Sequence, residues 1–405
     1  MFNIKLNFKV IIFGFIFTFF SSFGQSFFIG LFNSSIREDL NISHGQFGAI
    51  YASATLLSSI SLIWLGKKID ELRLLNFSFM VIILLFLSSL FFSFINSIYL
   101  LFLGIFLLRL SGQGLMSHTA TTAISRYFEK SRGKALSTIW FGLSSAEFIM
   151  PLTIVFLLSV YSWRNIWIAI SIFVILFLPL ISLLTIKNLK ISSRENEDNE
   201  LENKFKNIKN WKRKEVLFDP RFYLILMTML AMPWIATGVF VYQSFITDSK
   251  NWGDYIIAQS FMVYAILSVL TLLISGFLVD RFTSRKLIPF MNIPLLIGMF
   301  ILFTYESYLS SYVFLGLIGI SNGLANVLGS STWAEIYGVR YLGGIKAITT
   351  SMMVFSTAFG TAIFGILIDF GHSVETIALV CFSYIVIANV LIVLFRKKIE
   401  PVIVK

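Results

Sequence analysis

Two ionisable side chains, Arg109 and Glu147, lie deep inside long apolar stretches, where a charge is costly and by default marks a working group. Arg109 is ten residues into the run that starts near Tyr99, and Glu147 is twelve into the run that starts near Ala135. At about 1.5 Å rise per helical residue, these depths are ~15 and ~18 Å from opposite faces of a layer roughly 30 Å thick, so both groups fall near its middle. A guanidinium keeps its charge and offers a planar fork to a carboxylate, so Arg109 is a candidate holder of an anionic group. Glu147 is then a candidate carrier of a coupling proton. Two other readings stay open: an ion pair between the two that opens and closes, or a permanent buried pair joining two helices. Gln113, one α-helical turn beyond Arg109, and Trp140 and Ser144 on the Glu147 stripe extend a polar path.

No other chemistry suggests itself. His44, His118 and His372 show no metal-ligand spacing, and His118 reads as a packed or interfacial residue. The single cysteine, Cys381, sits in an apolar run and supports neither a disulfide framework nor a thiolate site. There is no clustered nucleophile, base and metal set, and no G-x-x-x-x-G-K-[ST] loop. The expectation is therefore a protein that is not an enzyme and carries no cofactor or metal.

The elements that would position Arg109 and Glu147 follow from composition. Of 405 residues, 57% are hydrophobic and 13% charged, with a mean hydropathy of +0.84. That charged share is half the roughly 25% of a soluble domain. Apolar runs long enough to span a bilayer begin near residues 10, 46, 74, 99, 135 and 166, and again near 221, 256, 287, 310, 345 and 376. The first follows Lys5 and Lys9, is too long for a signal-peptide core and lacks a small-residue cleavage site, so it reads as a retained helix.

Residues 1–186 thus form one six-helix bundle and 221–405 a second. Residues 187–220 between them are charged and poor in apolar residues and read as a cytoplasmic linker. Within the linker, 200–214 is a candidate surface helix whose Trp211, Lys212, Arg213 and Lys214 could touch anionic headgroups; a solvated linker is the plainer reading. With the N-terminus inside, the outward connections hold only Arg37, Arg164 and Lys250, whereas 28 of the 32 basic residues lie in the inward connections and termini and Arg109 lies within a span. The formal charge of +11 therefore reports topology rather than a nucleic-acid surface, and both termini are expected in the cytoplasm.

A shift of about 210 residues superposes the two halves. The sequence GKKIDELR, Gly66–Arg73, follows the second run, and GFLVDRFTSRK, Gly276–Lys286, follows the eighth, so that Gly66 and Asp70 match Gly276 and Asp280. Lys134–Thr138 likewise matches Lys346–Thr350. Arg109 and Glu147 correspond to Gly319 and Phe359, so both charges depart from the repeat.

These loops resemble the G-x-x-x-D-R-x-G-R-R/K signature of the major facilitator superfamily, the second copy with one extra residue and no second glycine. The segment 109–114 and the connection carrying Arg126 and Arg132–Lys134 are also similar to that family's fourth helix and its link to the fifth. The resemblance spans the chain. It implies an all-α membrane protein of twelve transmembrane helices, built as two six-helix bundles related by pseudo-two-fold symmetry. It further implies conformational gating by Gly66, Asp70, Arg73, Gly276, Asp280 and Arg281. Gln25, Gln243 and Asn322, with Asn326, lie on helices that would border the cavity, although each amide could equally join two helices.

The expected function is alternating-access transport of a small solute across the inner (plasma) membrane. An organic anion or zwitterion is favoured and proton coupling expected, with the bilayer, the solute and the proton as partners and a monomer as the unit. The fifth run has Gly142 and Pro151 but not the full glycine–proline motif of drug–proton antiporters. A drug or metabolite exporter and a non-transporting solute sensor are the alternatives.

Overall fold

A computed structural model describes residues 4–128, 132–187, 189 and 208–403. It contains twelve helices long and apolar enough to cross a membrane. They are α1 (Phe8–Gly30), α2 (His44–Glu71), α3 (Leu74–Ser93), α4 (Ile98–Tyr127), α5 (Lys134–Leu158), α6 (Trp163–Ile186), α7 (Pro220–Val241), α8 (Asp254–Phe282), α9 (Ser284–Thr304), α10 (Tyr308–Tyr337), α11 (Leu342–Asp369) and α12 (Val374–Leu394). Each coincides with one of the apolar runs. Hydrocarbon offers no partner for backbone N–H and C=O groups, so a continuous helical ladder is the form these runs must take.

Helix starts are marked by serine. Ser43, Ser97, Ser162, Ser307 and Ser373 each accept a hydrogen bond from a backbone N–H in the first turn of α2, α4, α6, α10 and α12. Ser43 forms a full capping box with Gln46. These are five of the six helices that enter from the outer side under the charge-based orientation; the sixth, α8, follows Gly253 and has no side-chain cap.

The chain forms two compact units. The first comprises Met1–Glu195 with two short pieces from later in the sequence, Phe240–Phe245 and Thr361–Asp369, the ends of α7 and α11. Within it α1 packs on α5 at backbone distance. The Thr18 hydroxyl donates to the Ile139 carbonyl at 2.5 Å, and a Cβ at Gly142 would collide with the Phe15 carbonyl. The second unit comprises Asn196–Val239, Ile246–Gly360 and Phe370–Lys405. Here α8 and α10 are pressed together: a Cβ at Gly319 would collide with the Tyr264 carbonyl, and one at Gly323 would lie 2.6 Å from the Ser268 carbonyl. Ser260 and Ser311 hydrogen-bond across the same seam at 2.8 Å. Small residues at a helix crossing let dispersion contacts replace the hydrophobic drive that lipid removes.

The described end of the connection between the halves is in part packed rather than wholly solvated. Residues 188 and 190–207 lie outside the described residues, so the early part of the candidate surface helix does too. Of the rest, only Arg213–Leu217 is helical. Ile208 pairs with Ile403, and the Trp211 ring packs edge-on against Tyr337 at 5.6 Å, so Trp211 is part of the fold rather than a headgroup contact.

Candidate functional site

Helix α1 is broken where FSSFGQS interrupts its apolar run. The α-helix ends at Phe20, Ser21–Gly24 make a tighter turn, Gln25 is extended and the helix resumes at Ser26. Such a break frees backbone carbonyls that need donors. Opposite it, α4 widens into a π-helix over Arg109–Met116. The two irregular segments meet backbone to backbone: a Cβ at Gly24 would strike the Leu108 carbonyl and the Gln113 amide, and one at Gly112 would lie 2.6 Å from the Gly24 amide.

Arg109 fills this junction and is 3% exposed. Its Nη1 donates to the freed Gly24 carbonyl at 3.1 Å and to Ser26 Oγ at 3.2 Å. Ser26 Oγ also accepts the Tyr51 hydroxyl of α2 at 3.0 Å, and the guanidinium lies over the Tyr51 ring, 5.3 Å from its centre. The Arg109 Nε–H is buried without an acceptor. Among the described residues no carboxylate is within salt-bridge distance of Arg109. A buried cation held only by a carbonyl, a hydroxyl and a ring is incompletely compensated.

Glu147 is 8% exposed and, among the described residues, makes neither a hydrogen bond nor an ion pair. Among the described residues, therefore, no ion pair joins Arg109 and Glu147. Gln25 and Gln113 flank Gly24 beside Arg109, both half-buried. The π winding changes how Gln113 relates to Arg109, because a wider turn no longer stacks residues four apart. Gln243 donates to the carbonyls of Phe27 (2.9 Å) and Phe240 (2.8 Å), joining the end of α7 to α1. Asn322 belongs to the second unit, where it donates to Ser268 across the α8–α10 seam at 2.9 Å; Asn326 is exposed. Ser26 and Tyr51 were not singled out from sequence. The polar interruption at 21–26 signals the first, while nothing marks Tyr51 among so many aromatic residues.

Around the repeated loops, Asp70 pairs with Arg126 near the end of α4, and Arg126 Nη1 also donates to the Ile69 carbonyl at 3.2 Å. Arg73 is exposed at the start of α3. The Gly66 carbonyl accepts His118 Nε2 at 3.1 Å, which gives His118 a packing role. In the second copy a Cβ at Gly276 would meet nothing within 4 Å, Asp280 is exposed and the Arg281 guanidinium lies over Phe282. The start of α9 is held instead by Glu335 of α10, whose carboxylate accepts the Ser284 and Arg285 amides at 2.8 and 3.1 Å. Glu335, too, was not singled out from sequence.

Twelve membrane-length helices in a twice-repeated order, with polar groups buried at a broken helix, define a multi-pass membrane protein of the transporter type. A match to the Major Facilitator Superfamily covers residues 14–269 and 241–404, and the chain belongs to that family. Among solved structures it is similar to a bacterial homologue of the human lysosomal transporter Spinster in an inward-facing, unoccupied conformation. The TM-score is 0.71 at 14% identity, covering 97% of this chain and 98% of that one. It is also similar to the nucleoside transporter NupG, with a TM-score of 0.73 at 12% identity, covering 97% and 99%. No curated protein matches the sequence.

Proposed function

We propose that this protein is a secondary active transporter that moves a small organic anion or zwitterion by alternating access. It sits in the inner (plasma) membrane with both termini in the cytoplasm, an orientation supported by the placement of its basic residues. Arg109 binds the anionic group of the solute, with Ser26 and Tyr51 holding the guanidinium, and Glu147 carries the coupling proton. The observation that carries this reading is the Arg109 environment: a midplane guanidinium with an unused, buried N–H and no carboxylate partner among the described residues. An incoming carboxylate supplies the charge and acceptor that the protein withholds. Membership of a family of transporters supports the transport class.

A second reading rests on one contact, the Arg109 bond to the Gly24 carbonyl, by which Arg109 would only brace the broken helix. A thermal-shift screen of carboxylates, amino acids and other small anions on purified protein separates the two. A solute that stabilises wild type but not Arg109→Gln, in a variant of unchanged melting temperature without solute, supports binding. A variant that loses several degrees without solute and keeps the full ligand shift supports bracing alone. In proteoliposomes, Glu147→Gln is expected to abolish proton-driven accumulation while leaving solute exchange. Wild-type accumulation by both variants would overturn the assignment.

A further inference from the structure

The end of the linker and the C-terminal tail are folded together into a small clip. Ile208 bridges Ile403, the Lys209 amide donates to the Val402 carbonyl at 2.8 Å, and Arg221 Nη1 donates to the Glu400 carbonyl at 2.7 Å. The Trp211 amide donates to the Tyr337 carbonyl at 3.0 Å, tying the clip to the end of α10.

The clip uses its acids internally. Asp219 pairs with Arg221 at 2.7 Å and is 6% exposed, while Glu215 pairs with Lys209 at 3.0 Å. The Lys212 amide and the Lys209 ammonium hold the Glu215 carboxyl below its usual range, so it stays committed to the clip. What remains outward is basic. Lys212, Arg213, Lys214, Arg396, Lys397 and Lys398 are all exposed and, among the described residues, in no ion pair; Glu400 is the exposed acid beside them. Phe218, 87% exposed, follows the first trio and lies two residues before α7, and Arg396 lies two residues after α12. Both trios therefore stand where helices leave hydrocarbon, and an aromatic ring next to cations at that depth suits the headgroup layer.

We propose that this clip is a docking surface for anionic phospholipid headgroups, with the six basic side chains meeting phosphate and Phe218 inserted at the acyl boundary. The proposal does not rest on the transport reading. Each basic residue close to an anionic surface contributes on the order of fivefold in association, less as salt rises.

The test is native mass spectrometry of the full-length protein in detergent with equal phosphatidylglycerol and phosphatidylcholine added. Wild type is expected to retain phosphatidylglycerol at least tenfold over phosphatidylcholine. K212Q/R213Q/K214Q/R396Q/K397Q/K398Q is expected to retain the two equally, and Phe218→Ala to weaken retention of both. K212Q/R213Q/K214Q alone, confined to exposed residues of the clip, should fold even if the sixfold variant does not, and should lose part of the preference. An unchanged preference in either charge variant would overturn the proposal, as would full competition by millimolar inorganic phosphate, which would mark a free-anion site. Loss of the preference at high salt in wild type supports it.

Discussion

Asp369, at the end of α11, sets a carboxylate on the first turn of α2. Its Oδ2 accepts the Ser43 hydroxyl at 2.6 Å and the Gly45 amide at 2.8 Å, while Ser43 Oγ itself caps the helix by accepting the Gln46 amide at 3.1 Å. Beside it the Tyr242 hydroxyl reaches the carbonyls of His44 (2.9 Å) and Thr361 (3.1 Å), and Asn33 donates to the Val241 carbonyl at 2.6 Å. These bonds hold the ends of α7 and α11 to α1 and α2 within the first unit. Asp369→Asn keeps an acceptor oxygen but removes the charge. A charge-assisted hydrogen bond contributes ~1.5–3 kcal/mol against about 1 for a neutral one, and an anion at a helix N-terminus ~0.3–1. Because Asp369 is exposed, the lower ends apply, and the variant is expected to lose about 1 kcal/mol, a roughly fivefold rise in local opening. Asp369→Ala removes both bonds and is expected to lose ~2 kcal/mol, roughly thirtyfold. Hydrogen exchange measures this directly, since the Gly45 amide is one of the donors and its exchange tracks the opening equilibrium. Peptides covering 43–48 and 240–245 should exchange faster in both variants, in that order of severity. Unchanged exchange at 43–48 in Asp369→Ala would refute the reasoning that Asp369 holds the start of α2.

Two further changes test packing, one at the candidate site and one in the clip formed by the linker end and the C-terminal tail. Gly24→Val places branched carbons against the Leu108 carbonyl and the Gln113 amide, and overpacking of this kind is expected to lower stability by about 1–3 kcal/mol, read as a lowered melting temperature with weakened ligand shift. Asp219→Asn leaves Arg221 half of a pair that is 6% exposed on the acid side, and is expected to cost on the order of 3 kcal/mol and to raise exchange across 208–217; a neutral result would mean that the Trp211 and Tyr337 rings suffice to hold Arg221.

The twelve helices were legible because the bilayer allows one solution for an apolar run of that length, and the repeat was legible because its loops kept Gly66, Asp70, Gly276 and Asp280. Local irregularity was not. The π winding over Arg109–Met116 depends on a backbone from α1 arriving opposite Gly112, a contact between segments some 85 residues apart that no periodicity along α4 encodes. The Asp70–Arg126 pair was not legible for a similar reason, since its two members are 56 residues apart in sequence.

Comparing the halves explains why Arg109 is where it is. In the second unit the corresponding residue is Gly319, and there α10 closes on α8 so tightly that a single Cβ would strike the Tyr264 carbonyl. In the first unit the same position carries the longest cationic side chain, α4 is widened, and α1 is broken at the same level. A mere scaffold would gain from repeating the glycine, since close helix contact is favourable and a buried guanidinium is costly. The first unit instead gives up that contact, keeps the charge and provides it with a carbonyl, a hydroxyl and a ring but no carboxylate among the described residues. That asymmetry is the strongest argument that the positive charge serves a negative group that comes and goes.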